Sequence, residues 1–230
     1  MKLISREQKK QGLTRIDVLV VVVTVVTLLF ATAVPILVAA HRRAERINCI
    51  ANLRQLGGAL SPLEDEIGIT NDNRSAHGPW MSLLETNAQT VGLNAGQVAW
   101  INAMKGCSNA LTSSKILQCP ADKETPITTG PTGLKIRISY YLNLDANEGY
   151  PQQIMAGDDN LSIGGVPIKP GIFELTSNAP VSWSDTRHIR VGNILLCDGS
   201  VDQVSSSSLQ NAAAYSFPGT PYATNRVAIP

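Results

Sequence analysis

The sequence predicts an α+β protein, with a long N-terminal helix that spans a membrane in its first half and carries an antiparallel sheet on its soluble second half. Three observations predict it. From Val18 to Ala40 no residue is charged, and as a helix this run would be about 35 Å long, against a hydrocarbon core of about 30 Å. Beyond it, Cys49, Leu53, Leu56 and Leu60 recur at three- and four-residue steps with Arg46, Asn52 and Gln55 between them, the pattern of a helix with one buried stripe. The remainder alternates short apolar runs with Gly, Pro and Asn turns, and near its C-terminal end places two apolar segments around an Asp-Gly pair.

The span is rich in valine, a poor helix former in water. In lipid every backbone N–H must be satisfied within the segment, which leaves helix as the only conformation for a single crossing. Pro35 is expected to bend it late. The run is too long for the apolar core of a secretory signal, about 7 to 15 residues. Gly57-Gly58 weakens the helix and Ser61-Pro62 is a stop signal, so the expected organisation is a leader over 1–12, a transmembrane and spine helix over 13–60, and one soluble head over 61–230.

Charge is unevenly shared among these parts. The whole chain is +1; Lys2, Arg6, Lys9 and Lys10 against Glu7 make the leader +3, and the helix carries another +3, which leaves the head at −5. An acidic head has the wrong sign for gripping phosphates, so no nucleic-acid partner is expected. At the leading edge of the span stands Asp17, where a charge at full depth costs up to about 3.5 kcal/mol and calls for a partner. Arg15 is one candidate cation.

A second candidate follows from the surrounding residues. Lys9-Lys10-Gln11-Gly12 followed by Leu13-Thr14-Arg15-Ile16-Asp17-Val18-Leu19-Val20-Val21 resembles the class III leader of type IV prepilins and type II secretion pseudopilins. The resemblance implies a pilin-like fold, cleavage by prepilin peptidase between Gly12 and Leu13, methylation of the new Leu13 amine, and a membrane anchor with the leader in the cytoplasm and the head outside. It also implies other pilin or pseudopilin subunits as partners, with Asp17 neutralising the Leu13 amine of a neighbour. The chain departs from the family in having Asp17 where Glu is usual and Arg15 where an apolar residue is usual. The run Cys49-Ile50-Ala51-Asn52-Leu53-Arg54-Gln55-Leu56-Gly57 resembles a segment common in prepilin-like proteins, and Cys119-Pro120-Ala121-Asp122 resembles their Cys-Pro-Ser-Asp element.

Within the head, short helices are expected over 79–85 and 95–104, with Trp80, Leu83, Leu84, Val98, Trp100 and Ile101 packed on the spine. Four cysteines allow three full pairings. Cys107 with Cys119 is the first choice, closing a small loop, and Cys49 with Cys119 is the rival. Leu134 to Tyr141 alternates at period two, as a half-buried strand does. Ile154 to Gly157 reads as another strand, delivering Asp158-Asp159-Asn160 into a loop. Two adjacent carboxylates suit calcium and equally suit a solvated turn. No cofactor is expected, with calcium at Asp158 and Asp159 as the alternative.

The most specific local stretch is Ser182-Trp183-Ser184-Asp185-Thr186-Arg187-His188, followed by Asn193 to Cys197, Asp198-Gly199, and Ser200 to Val204. Two strands joined by Asp-Gly predict a hairpin with a two-residue type I′ turn, in which both turn residues need positive φ. His188, nine residues, then Asp198-Gly199 matches the C-terminal hallmark of a large prepilin-like family named after that spacing. His188 is expected to bond a neighbouring loop, Asp198 or a backbone carbonyl, and to hold the hairpin on the spine. Ser184, Asp185 and His188 lie too close in sequence for a triad and lack a Gly-x-Ser-x-Gly elbow, so no enzyme is expected. The expected function is a structural pilus or pseudopilus subunit. The alternative is a membrane-tethered module binding calcium or a glycan through loops around Asp72, Asp158 or His188.

Overall fold

The computed structural model describes residues 14–70, 79–85, 92–108, 113–123, 127–129, 134–188, 190–218, 220 and 223–230. Gly12, Leu13 and Asp72 lie outside the described residues. The chain is α+β, a long N-terminal apolar helix followed by antiparallel sheet. Helix α1 spans Arg15–Thr70. It runs through Pro35 and continues past Gly57-Gly58 and Ser61-Pro62, where a stop was expected, because the apolar stripe continues too: Leu56, Leu60 and Leu63 are all buried in one core. Burial outweighs the local propensity for a break. Gly57 marks a close approach, since a Cβ there would lie 2.9 Å from Leu195 Cδ1.

The chain forms two compact units, Met1–Arg43 and Ala44–Pro230, with the spine half of α1 in the second. In the first unit the apolar side chains are exposed, from Ile16 at 74 % to Leu37 at 68 %, and this helix is long and apolar enough to cross a membrane. Its hydroxyls need no outside partner. Thr24 donates to the Val20 and Val21 carbonyls, Thr27 to Thr24, and Thr32 to Leu28 and Leu29, at 2.9–3.1 Å, which suits a segment with no water beside it. At the start of the helix, the Thr14 backbone N–H and hydroxyl donate to Asp17 Oδ2 at 2.9 and 2.7 Å, and the Asp17 N–H donates back to Thr14 Oγ1 at 3.3 Å. This is a reciprocal capping box, foreshadowed by the Thr-x-x-Asp spacing.

The head contains a 3-10 turn at Pro79–Leu84 and helix α2 at Ala95–Gly106, close to the expected positions, then a second 3-10 turn at Ser114–Leu117. Among the described residues eleven strands follow: β1 Ile127–Thr129, β2 Leu134–Ile136, β3 Tyr140–Asn143, β4 Ile154–Asp158, β5 Leu161–Ile163, β6 Val166–Pro167, β7 Gly171–Thr176, β8 Val181–Trp183, β9 Val191–Leu196, β10 Val201–Ser205 and β11 Thr224–Ile229. Helix α3, Ser206–Tyr215, lies between β10 and β11. The main sheet has six antiparallel strands in the order β10-β9-β4-β3-β11-β7, beside a three-stranded sheet β6-β5-β8 and the small pair β1-β2.

Alternate residues of the central strands enter two different cores. Tyr140, Leu142, Leu195 and Ala228 join Cys49, Leu53, Leu56, Leu60, Trp80 and Trp100 on the spine side. Tyr141, Ile194, Val227 and Ile229 join Leu161, Val181, Trp183, Leu209 and Ala213 on the other. The small sheet and α3 thus cover the face that the sequence reading left to solvent, and β3 and β4 are buried along their whole length. The expected strand over 134–141 is broken at residues 137–139. Ser139 gives its N–H to the Leu117 carbonyl at 2.9 Å and its own carbonyl to Asp159 N–H at 3.1 Å, so its backbone serves loops and β3 begins only at Tyr140.

The hairpin of β9 and β10 has the expected strands but another turn. Gly199 N–H donates to the Leu196 carbonyl at 3.0 Å and Leu196 N–H to the Ser200 carbonyl at 2.9 Å. Gly199 has φ 80, whereas Asp198 is not among the positive-φ residues. This is a three-residue loop closed by a left-handed glycine, one residue longer than the type I′ turn expected.

Candidate functional site

Three stretches far apart in sequence meet inside the head: the spine around Cys49 and Asn52, the Cys119–Asp122 element, and the Arg187-His188 end of the C-terminal signature. Asn52, three residues beyond Cys49 and on the same helical face, donates through Nδ2 to the Gln118 carbonyl at 2.9 Å. That bond sets the next residue, Cys119, against α1. Cys49 and Cys119 form a disulfide with Cα atoms 5.1 Å apart, within the usual range for the linkage. The expected Cys107–Cys119 pair is therefore replaced by its rival. Cys107 follows α2 with its N–H on the Ala103 carbonyl and its side chain packed in the spine-side core. Burial pushes its thiol up to about 11, so it is protonated and inert at neutral pH. Cys197 is also buried and outside the disulfide.

Around the disulfide lies a buried polar network. Arg187 is 5 % exposed; its guanidinium pairs with Asp122 at 3.1 Å and with Asp159, and donates to the Ser139 carbonyl at 2.9 Å. Asp122 also accepts from Ser139 Oγ at 2.6 Å and pairs with Arg137 at 3.5 Å. Two anions and two cations thus share one desolvated volume, the condition under which a buried pair is tolerated. A single guanidinium ties together the loops after Cys119, before β3 and after β4.

Next to it, His188 Nε2 lies 3.2 Å from Cys119 Sγ and 3.9 Å from Asp158 Oδ2. Burial first, then the Arg46 and Arg187 guanidiniums, lower His188 to about 4, so the ring is neutral at pH 7. Burial raises the Asp158 carboxyl to about 7, against the hydrogen bonds it accepts on Oδ2 from Asn193 N–H at 2.8 Å and Nδ2 at 3.0 Å. Its Oδ1 has no hydrogen-bond partner among the described residues. His188 has φ 25 and Arg190 φ 59, a left-handed backbone that costs a non-glycine residue on the order of 1–3 kcal/mol and that tends to occur at functional positions.

The sequence-selected residues separate accordingly. His188 joins Cys119 and Asp158; it does not meet Asp198, whose Oδ1 accepts from the Ser200 N–H at 2.8 Å within the hairpin loop. Asp158 is the last residue of β4 and bonds Asn193, while Asp159 pairs with Arg187. Ser184 Oγ bonds Thr186 Oγ1 at 2.8 Å and Asp185 pairs with Arg190 at 3.0 Å, so neither is joined to His188. The residues missed by sequence reasoning are Asp122, Arg187 and Asn193. Asp122 and Arg187 lie within the Cys119–Asp122 and Ser182–His188 stretches, but nothing local to either stretch reveals that one carries the counter-charge of the other. No protein-family model, curated protein or solved structure matches this chain.

Proposed function

We propose that the chain is a non-enzymatic structural subunit of a type IV pilus or type II secretion pseudopilus. On this reading prepilin peptidase cuts after Gly12, α1 holds the protein in the cytoplasmic membrane with the head outside, and α1 then packs against the helices of other subunits. The observation that carries it is the apolar surface of the first unit, where Ile16, Leu19, Leu28, Phe30 and Leu37 are all exposed in the lone chain although water is the wrong medium for them. Lipid covers such a surface before assembly and neighbouring helices cover it afterwards. Mass spectrometry of the membrane-extracted protein should find a mature chain beginning at Leu13. An intact N-terminus in cells with an active prepilin peptidase would sink the reading.

Asp17 sharpens the proposal, because within one chain its carboxylate is already held by Thr14. Pairing with a neighbour's amine has to compete with that cap. Asp17→Asn keeps an oxygen for Thr14 while removing the charge, so it should insert in the membrane normally and yield few sheared filaments. Asp17→Glu should assemble as well as wild type. Recovery of the wild-type protein only as a membrane monomer, never in the sheared fraction, would favour a tethered module over a filament subunit.

A further inference from the structure

The groups packed around the disulfide have the composition and spacing of a metal site. Cys49 Sγ, Cys119 Sγ and a ring nitrogen of His188 lie within 4.8 Å of one another, and all three residues are buried. The nitrogen that faces Cys119, Nε2, lies 3.9 Å from Asp158 Oδ2, the oxygen that accepts from Asn193; the other oxygen of that fully buried carboxyl, Oδ1, has no hydrogen-bond partner among the described residues. Two sulfurs and an imidazole thus converge from α1, the Cys119 loop and the C-terminal signature, with the Asp158 carboxylate of β4 beside the imidazole. His188 is held there in a strained backbone conformation, an observation independent of the spacing.

We propose that when Cys49 and Cys119 are reduced, they and His188 bind one thiophilic divalent cation, zinc by preference, with Asp158 as the fourth ligand. Zinc takes thiolate at about 2.3 Å and nitrogen or oxygen at about 2.0–2.2 Å, which in a tetrahedron puts neighbouring donors about 3.3–3.8 Å apart. The sulfur–nitrogen and nitrogen–oxygen separations of 3.2 and 3.9 Å already bracket that range. The two sulfurs must part, for which a Cα separation of 5.1 Å leaves room by side-chain rotation, and the Asp158 carboxylate, outside the 4.8 Å cluster of the other three, must swing towards them. Two thiolates and a carboxylate around a dication leave one net negative charge, offset by the Arg46 and Arg187 guanidiniums whose fields reach His188.

The chemistry balances with a phosphine as reductant. The phosphine gives two electrons to the disulfide, water supplies the oxygen of the phosphine oxide and the two thiol protons, and the cation then displaces those protons to solvent. Disulfide and metal are mutually exclusive occupants, so Cys49 and Cys119 link the spine to the Cys119 loop in either redox state.

The test uses the full-length chain in detergent, freed of metal and titrated with cobalt(II) or zinc(II), once with a trialkylphosphine present and once after oxidation. The reduced chain should take up one equivalent, with the visible absorption of tetrahedral cobalt and a thiolate charge-transfer band, and the oxidised chain none. X-ray absorption of the zinc form should show two sulfurs at about 2.3 Å with lighter neighbours. Loss of an outer-shell partner alone weakens metal affinity about 10- to 100-fold, so His188→Gln should weaken it by about a hundredfold or more. Cys107→Ala and Cys197→Ala should each keep the stoichiometry. No binding by the reduced chain at micromolar cation, equal binding by the oxidised chain, an unchanged His188→Gln, or metal lost with Cys107 or Cys197 would each overturn the site. Should His188→Gln misfold, the reduced and oxidised wild-type titrations and the sulfur count decide the matter without it.

Discussion

The two halves of α1 both carry apolar side chains but meet opposite surroundings. Between Val18 and Ala40 apolar side chains occur on every side of the helix, and they are exposed. From Cys49 onward they are confined to one stripe, and Cys49, Leu53, Leu56 and Leu60 are buried almost completely. An all-round apolar helix calls for an apolar medium, whereas a striped helix calls for one partner, here the β3, β4 and β9 side of the sheet. The difference teaches that the same leucine has a specific contact in one half and only a solvent preference in the other, and mutations should separate the two.

All three tryptophans, Trp80, Trp100 and Trp183, lie in the head, so their fluorescence during denaturant unfolding reports on the striped half and its sheet alone. The largest expected effect is that of the link between spine and head. Replacing both Cys49 and Cys119 by Ala should lower head stability by about 4 kcal/mol on the chain-entropy estimate for their 70-residue separation; a loss under about 1 kcal/mol would mean that the spine is held by packing alone. Next, Leu53→Ala should cost about 2–5 kcal/mol through the cavity it leaves, while Leu29→Ala in the exposed half should leave head stability within about 0.5 kcal/mol of wild type. Equal costs would break the comparison outright.

A third effect sits where the spine meets the signature and concerns the oxidised chain. Burial raises Asp158 from 3.8 to about 7, so the folded state keeps a proton that the unfolded chain releases, and its contribution to stability falls as pH rises through that interval. Burial lowers His188 from 6.5 to about 4, so the unfolded chain binds the extra proton, and stability rises with pH between those values. The slopes oppose one another, which predicts little net change from this pair in wild type between about pH 4 and 6.5. Asp158→Asn should then gain on the order of 3 kcal/mol across the window as pH rises, and His188→Gln should lose a similar amount. Variants that both stay flat would show that these groups titrate as they do in the unfolded chain. The smallest effect belongs to Gly57. Gly57→Ala places a methyl 2.9 Å from Leu195 and should cost about 1–3 kcal/mol, partly relieved by Leu195→Ala if the contact is the cause.

The striped half of α1, the short helices around Trp80 and Trp100, and the strands of the β9–β10 hairpin were legible in the sequence because each has a local period. The second face of the sheet was not. Tyr140-Tyr141-Leu142 is an apolar run that fits burial on one face or on both, and only the return of β8 and α3, residues far along the chain, decides for both. The site divided in the same way. Cys49, Cys119 and His188 stood out individually, but the choice of Cys49 over Cys107 goes with a contact between distant segments, marked by the Asn52 to Gln118 hydrogen bond across 66 residues. Asp17 went the other way: its reciprocal bond with Thr14 is local, legible in the four-residue Thr-x-x-Asp spacing.

The Cys49–Cys119 bond also has a mechanical consequence. A pull delivered through the N-terminal end of α1 arrives at Cys49, among the first buried residues of the spine, and crosses there by a covalent bond to Cys119. The intervening chain, with both short helices packed around Trp80 and Trp100, is bypassed and cannot be drawn out. For a separation of 70 residues, that withholds about 240 Å of extended chain from the applied force. An oxidised head should therefore lengthen under tension by that much less than a reduced one.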